Sequence, residues 1–203
     1  MTGQTHVAIG IATALTLSMD QPIENKLIMI LGSTIGSLTP DLDHPKGKLN
    51  QKILLVNNGF YRTLFYISLG FFLYYLYSIK GEKAFLLLGT MAFLIGISSH
   101  RGFTHSILGF LIAGSLVKSG AIKYGLPPLY SGFIVGYLAH LIADFFTPRG
   151  IKLFYPFGIN VSAPITIKTN GRIEKAIFLI ISLYSISMLA KHVYLDLNLN
   201  ISL

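Results

Sequence analysis

Seven apolar runs, separated by polar connections of which two exceed 20 residues, set the limits on what this chain can fold into. They span Thr5–Met19, Lys26–Thr39, Thr63–Ile79, Ala84–Ser99, Thr104–Val117, Leu129–Phe146 and Ala176–Ala190. Segments that are greasy on all sides, and repeated along the chain, predict helices that bury one another in a bilayer. Composition supports this. Charged residues make up 12% of the chain, against roughly 25% in a soluble domain, and the mean hydropathy is +0.63. The expected fold is all-α: a polytopic membrane helical bundle of about five to seven membrane helices, in a single domain over residues 1–203. A spanning helix needs about 20 apolar residues. The first, second and fifth runs are shorter and are expected to be half-spanning, or extended by polar residues at one end.

The net charge of +8 sits on lysines and arginines that punctuate the apolar runs, as in loops lying against anionic lipid. No helix-turn-helix or RNA-binding signature accompanies them, so nucleic acid is not an expected partner. The absence of cysteine excludes disulfides and thiolate zinc sites. The opening MTGQTH lacks the basic stretch of a signal peptide. There is no P-loop or dinucleotide fingerprint, and Ser106 lies in no G-x-S-x-G elbow. Gly32 with Gly36, and Gly132 with Gly136, form G-x-x-x-G pairs that allow close helix approach.

Crossing the runs alternately sorts the polar residues by side. His6, Asp41, Asp43, His44, His100, His105, His140 and Asp144 all fall at one end. Asp20, Glu24, Glu82 and His192 fall at the other. The first end carries ten of the lysines and arginines and the second six, which by the positive-inside rule turns the His/Asp end towards the cytoplasm.

Three clusters carry the chemistry. In TPDLDH, Pro40 and Pro45 break helix on either side of Asp41, Asp43 and His44, so two carboxylates and an imidazole share a tight turn. The set suits zinc, manganese or iron; the plainer reading is a solvated helix end. In HRGFTHS, His100 and His105 would stand about 140° apart on one helix. Gly102 offers a break, so His100 closes one helix, His105 opens the next, and Thr104 or Ser106 caps it. Arg101 is either an interfacial anchor or a phosphate contact. In HLIADFFTPRG, His140 and Asp144 lie one turn apart on one face. Alone they read as a hydrogen-bonded pair; beside the other clusters they read as ligands to a shared metal. His6 precedes the first run and is either a helix-end residue or a further ligand.

The order His6, PDLDH, HRGFTHS, HLIADFFTPRG resembles the LexA-regulated, YdjM-like family of membrane-bound proteins classed as metal-dependent hydrolases. The resemblance runs from His6 to about Pro156 and implies a helical inner-membrane protein with a metal-dependent hydrolase site. More remotely, the H-x-x-x-D-x-x-x-P spacing of HLIADFFTP is similar to that of zinc-dependent phospholipase C and P1-type nucleases. That likeness implies His140 and Asp144 as ligands, with Asp144 bridging.

The expected function is hydrolysis at the membrane surface, assisted by one or more divalent ions, zinc in preference to manganese or magnesium. The expected metal residues are His6, Asp41, Asp43, His44, His100, His105, His140 and Asp144. Asp41 is the candidate base, and Arg101 and Arg149 neutralise a phosphate. The substrate class is a phosphoester, within a lipid, and membrane lipids are the expected partners. Two alternatives stay open: an ion permease with intramembrane His and Asp, and a non-catalytic protein with a structural metal. Residues 151–172 alternate like strands and are expected to form a hairpin or lid beside the site.

Overall fold

In the computed structural model, which describes residues 1–45, 47, 50–56 and 58–201, each of the seven apolar runs forms the body of a helix. The helices are α1 (Gly3–Leu17), α2 (Ile23–Leu38), α3 (Asn50–Ile53), α4 (Gly59–Lys80), α5 (Lys83–Ile97), α6 (Ile107–Lys123), α7 (Pro127–Phe145) and α8 (Arg172–Ile201). Two short 3-10 turns, Pro40–Asp43 and Phe103–His105, follow α2 and α5. α3 is a single turn that the seven runs do not predict.

Local chemistry sets the boundaries. The Asn58 side chain caps α4 by accepting from the Tyr61 amide at 2.9 Å, and Gly81 ends it at φ 67°, in the left-handed region. Ser106 caps α6 by accepting from the Gly109 amide at 3.1 Å. Pro127 opens α7, where its missing N–H costs nothing.

The long helices run alternately up and down. At one end Thr2, before α1, donates its amide to Glu174 in α8. There too Arg62 of α4 donates to the carbonyls of Gly96 and Ser98 at the end of α5, at 3.3 and 2.8 Å. At the other end His192 lies 3.2 Å from the Met19 carbonyl, and Lys123 pairs with Glu82 at 3.8 Å.

α2 and α7 form the tightest pair. Their two G-x-x-x-G stretches face each other, so backbone meets backbone. A Cβ on Gly36 would lie 2.2 Å from the Phe133 carbonyl oxygen, and one on Gly136 would lie 2.0 Å from that of Ser33. α1 joins them at Gly10, where a Cβ would lie 2.2 Å from Ser37 Oγ. Around this seam Phe133, Tyr137, Leu141, Phe103, Tyr66 and Ile95 make the apolar core.

The outer surface is apolar as well. Leu179, Ile180 and Leu183 of α8 are exposed, as are Phe71, Phe72 and Tyr75 of α4. Among the described residues one helix, 172–192, is long and apolar enough to cross a membrane by length and composition. The expected count of five to seven is therefore not matched by length: α1, α2, α5 and α6 have 15, 16, 15 and 17 residues.

The segment 151–172, expected as a hairpin or lid beside the site, is a loop up to the start of α8. The segment contains one antiparallel bridge, Ile151–Val161, and no strand. It is tied to the end of α7 instead, through Ala163 N–H to Phe145 O at 2.9 Å and Ile167 N–H to Phe146 O at 2.8 Å. The alternation that suggested strands reflects this lateral docking: Ala163 is buried and Ile165 exposed.

Replacing Gly136 with Ala is expected to destabilise the protein by about 1–3 kcal/mol or more, because the new methyl meets backbone that cannot yield. Thermal unfolding in detergent measures it. Gly120→Ala, where nothing lies within 4 Å of the new atom, is the control and should be neutral or slightly stabilising.

Candidate metal centre

Four elements deliver polar side chains to one point at the end of the bundle. α1 brings His6, the turn after α2 brings Asp41 and Asp43, the turn after α5 brings His105, and α7 brings His140 and Asp144. His6, His105, His140 and Asp43 are fully buried, and Asp144 is 2% exposed. Asp41 is the open member, with 24% of its side chain accessible.

Two groups of side chains have ligand atoms within 4.8 Å of one another: His6, His140 and Asp144, and Asp41, His105 and His140. His6 Nε2 lies 3.3 Å from Asp144 Oδ1, and His105 Nε2 lies 3.5 Å from Asp144 Oδ2. His140 Nε2 lies 3.9 Å from both Asp41 Oδ1 and Asp144 Oδ2. Ligands of a tetrahedral ion bound at about 2.0–2.2 Å stand about 3.3 Å apart, so these separations suit a common cation. The α-amino group of Met1 also bonds to Asp144 Oδ1.

Histidine tautomers provide the sharper test. His140 Nδ1 donates to the Ser37 carbonyl at 2.7 Å. A carbonyl only accepts, so a neutral His140 presents a bare lone pair at Nε2. His105 Nδ1 lies 3.3 Å from Asp43 Oδ2, to which it donates, and its Nε2 faces His140 Nε2 at 3.2 Å. Two lone pairs at that separation repel unless a cation, proton or metal, lies between them. His6, stacked on His140 with ring centroids 3.7 Å apart, has no hydrogen-bond partner at either ring nitrogen although both are buried. A buried imidazole without a partner is costly unless an ion takes its lone pair.

Asp43 supports the site without facing it. It accepts from His100 Nδ1 at 2.7 Å, from the Arg101 amide at 2.9 Å and from Thr104 Oγ1 at 2.7 Å. Burial would raise its carboxyl, but the His105 and His100 imidazoles outweigh that and hold it well below the usual carboxylate range. For His105, burial would lower the imidazole, yet Asp43 and Asp144 raise it to about 9. Without a metal, then, the site draws a proton to the place where a cation is wanted.

Arg101 holds a left-handed backbone conformation, φ 61°, unusual for a side chain of its size. That turn aims its amide at Asp43 and its guanidinium at Asp144 Oδ2, 2.9 Å away. The same guanidinium donates to Thr147 Oγ1 and the Gly150 carbonyl, each at 2.8 Å. Arg101 thus holds Asp144 while it also lines the cleft. Arg149 is exposed and lines the cleft above. His44 and His100, expected as ligands, stack edge-on at 4.3 Å on the rim of the same cleft and join neither ligand group.

Several residues that hold the site have no motif to announce them. Arg62 donates to the Asp43 carbonyl. Asn50 donates to the carbonyls of Leu42 and His44, both at 2.8 Å, while Tyr66 donates to its Oδ1 at 2.8 Å. Tyr137 donates to the Thr104 carbonyl at 2.6 Å. One signal was available: Arg62 is a charge at the head of an apolar run.

A cleft of ≈ 520 Å³ reaches the cluster at Asp41 and is lined by His44, His100, Arg101, Arg149 and Lys168 among others. An all-helical membrane-type bundle with a buried His/Asp centre beneath a basic cleft is the class of protein that fold and site define. The sequence matches the family "YdjM inner membrane protein" over residues 1–196, and the chain belongs to that family. It is 24% identical to the uncharacterised protein YvsG of Bacillus subtilis over 177 residues, 87% of each chain. It is 26% identical to inner membrane protein YdjM of Escherichia coli over 154 residues, 74% of this chain and 61% of that one, and equally similar to YdjM of Shigella flexneri. The match thus covers about three-fifths of YdjM's own length. No solved structure matches the chain.

Asp43→Asn is expected to lower metal affinity about 10–100-fold while leaving the fold intact, since it removes the acceptor that orients His105. Competition with a chelating dye reads this, and unchanged affinity would remove Asp43 from the role. Because His105 must lose its proton to bind an ion, apparent affinity should fall as pH drops below about 9, visible in the same titration repeated across pH.

Proposed function

We propose that the protein is a metal-dependent hydrolase of the inner membrane acting on phosphoesters. The observation that carries this reading is the convergence of the buried His6, His105, His140 and Asp144 beside Asp41, which lines a cleft with a basic rim. These four residues would hold the ion, and their nitrogen and carboxylate donors favour zinc, with manganese as the next choice. Bound there, such an ion would supply Lewis-acid chemistry, making an attacking water more acidic and polarising a phosphoryl oxygen.

The protein's own groups supply the rest. Asp41, at the cleft edge, accepts the proton of the attacking water. The water oxygen bonds to phosphorus, and the ester oxygen leaves and takes up a proton. Arg149 and Lys168 draw the anionic phosphate into the cleft and offset its charge. Arg101 holds the Asp144 carboxylate in place, and Asp43, through His100, Thr104 and His105, fixes the imidazole that faces the ion. The apolar exteriors of α4 and α8 support a polytopic arrangement with membrane lipids as neighbours. The excess of basic residues at the site end favours a cytoplasmic orientation.

Purified wild-type protein is expected to carry divalent metal and to release phosphate from a model phosphomonoester. His140→Ala should lose most of the metal and at least about 100-fold in rate. Equal and negligible metal in both proteins would end the reading. A reporter fused after Leu203 is expected outside the cytoplasm; finding it inside would reverse the orientation.

A further inference from the structure

A second cavity adjoins the basic cleft. It is an apolar groove of ≈ 640 Å³ between α1, α7 and α8, lined by Thr13, Ala143, Phe146, Ile167 and Ile177 among others. The two spaces share Met1 and are walled by the same short segments. At the end of α7, Phe146 faces the groove and Thr147 the cleft. In the following loop, Ile167 faces the groove and Lys168 the cleft. The bond from Ile167 N–H to Phe146 O, 2.8 Å, stitches this seam.

The groove offers a ligand almost no polar atom. Its one hydroxyl, Thr13 Oγ1, is already committed to the Ile9 carbonyl at 2.8 Å. Ile142 and Phe146 on its wall are 58% and 40% exposed. The opposite wall includes Ile177, within the one helical stretch apolar and long enough to cross a bilayer. Basic side chains on one side of the seam and hydrocarbon on the other match a molecule with an anionic head and an apolar tail.

We propose that the substrate is a lipid phosphate monoester, its phosphate in the basic cleft and one acyl chain in the groove between α1, α7 and α8. The proposal rests on the phosphoesterase reading and adds the tail site. It accounts for a groove that would otherwise leave apolar surface open beside a charged cleft, and for the position of Lys168 at the joint between head and tail.

The test uses the full chain in phosphatidylcholine nanodiscs containing a trace of phosphatidic acid with a photoreactive diazirine on one acyl chain. Labelled residues are mapped by mass spectrometry. The expected result is labelling concentrated on the groove walls of α1, α7 and α8. Excess unlabelled phosphatidic acid should reduce it at least tenfold and excess glycerol phosphate much less. Thr13→Trp, which fills the groove, should reduce it similarly while leaving phosphate release from a short, water-soluble phosphomonoester unchanged. Labelling spread over the exposed faces of α4 and α8, as with a diazirine-bearing phosphatidylcholine, would overturn the proposal. So would groove residues that crosslink only to a second copy of the chain. Phosphate release from the soluble ester without groove labelling would sink the tail site alone. Groove labelling without any phosphate release would sink the hydrolase reading and leave the lipid site standing.

Discussion

The backbone-to-backbone approach of α2 and α7 is the constraint on which the rest of the structure depends. Glycines at 32, 36, 132 and 136 let each helix lay its carbonyls where the other would otherwise carry a Cβ. One turn beyond that seam, the Ser37 carbonyl meets His140 Nδ1 and sets the ring's tautomer, so that Nε2 faces the centre. A wider spacing would leave His140 without the Ser37 carbonyl and free to turn. The packing of two apolar helices therefore decides the chemistry of an imidazole several residues further on.

Electrostatics explains why the centre holds together in such a greasy molecule. Asp43 and Asp144 are buried charges, and each would be costly alone. Asp43 is answered by His100, the Arg101 amide, Thr104 and His105; Asp144 is answered by Arg101, with His6 and His105 close by. The remaining demand is for positive charge between His105, His140 and Asp144, the place where a proton or a metal ion would sit. Arg101 serves both carboxylates at once, by its amide and its guanidinium, and its strained φ is the means.

Much of this was legible in the sequence. The seven helices follow the apolar runs closely because hydropathy alone dictates them, and alternating their direction is enough to gather the His and Asp residues at one end. The G-x-x-x-G pairs pointed to close approach, but not to each other; which face meets which is decided by packing. Of the expected ligands, the structure groups His6, Asp41, His105, His140 and Asp144 by distance. Asp43, His44 and His100 share their motifs with Asp41 and His105, and spacing cannot say which of two neighbours on a turn points inward. The segment 151–172 forms one antiparallel bridge and no strand for a related reason: alternating burial arises on any extended segment docked along a helix end. Asn50 and Ser37 left no trace because their roles lie in main-chain carbonyl contacts, which no residue pattern encodes.

The central claim is that the converging imidazoles and carboxylates bind one or more divalent ions. X-ray absorption at the metal edge of the purified wild-type protein tests it most directly. The account predicts stoichiometric metal in a shell of nitrogen and oxygen donors, with the outer scattering of at least two imidazoles, and loss of that signal in a His105→Ala, His140→Ala double variant. Metal far below one ion per chain after loading, or a spectrum unchanged in that variant, would contradict it.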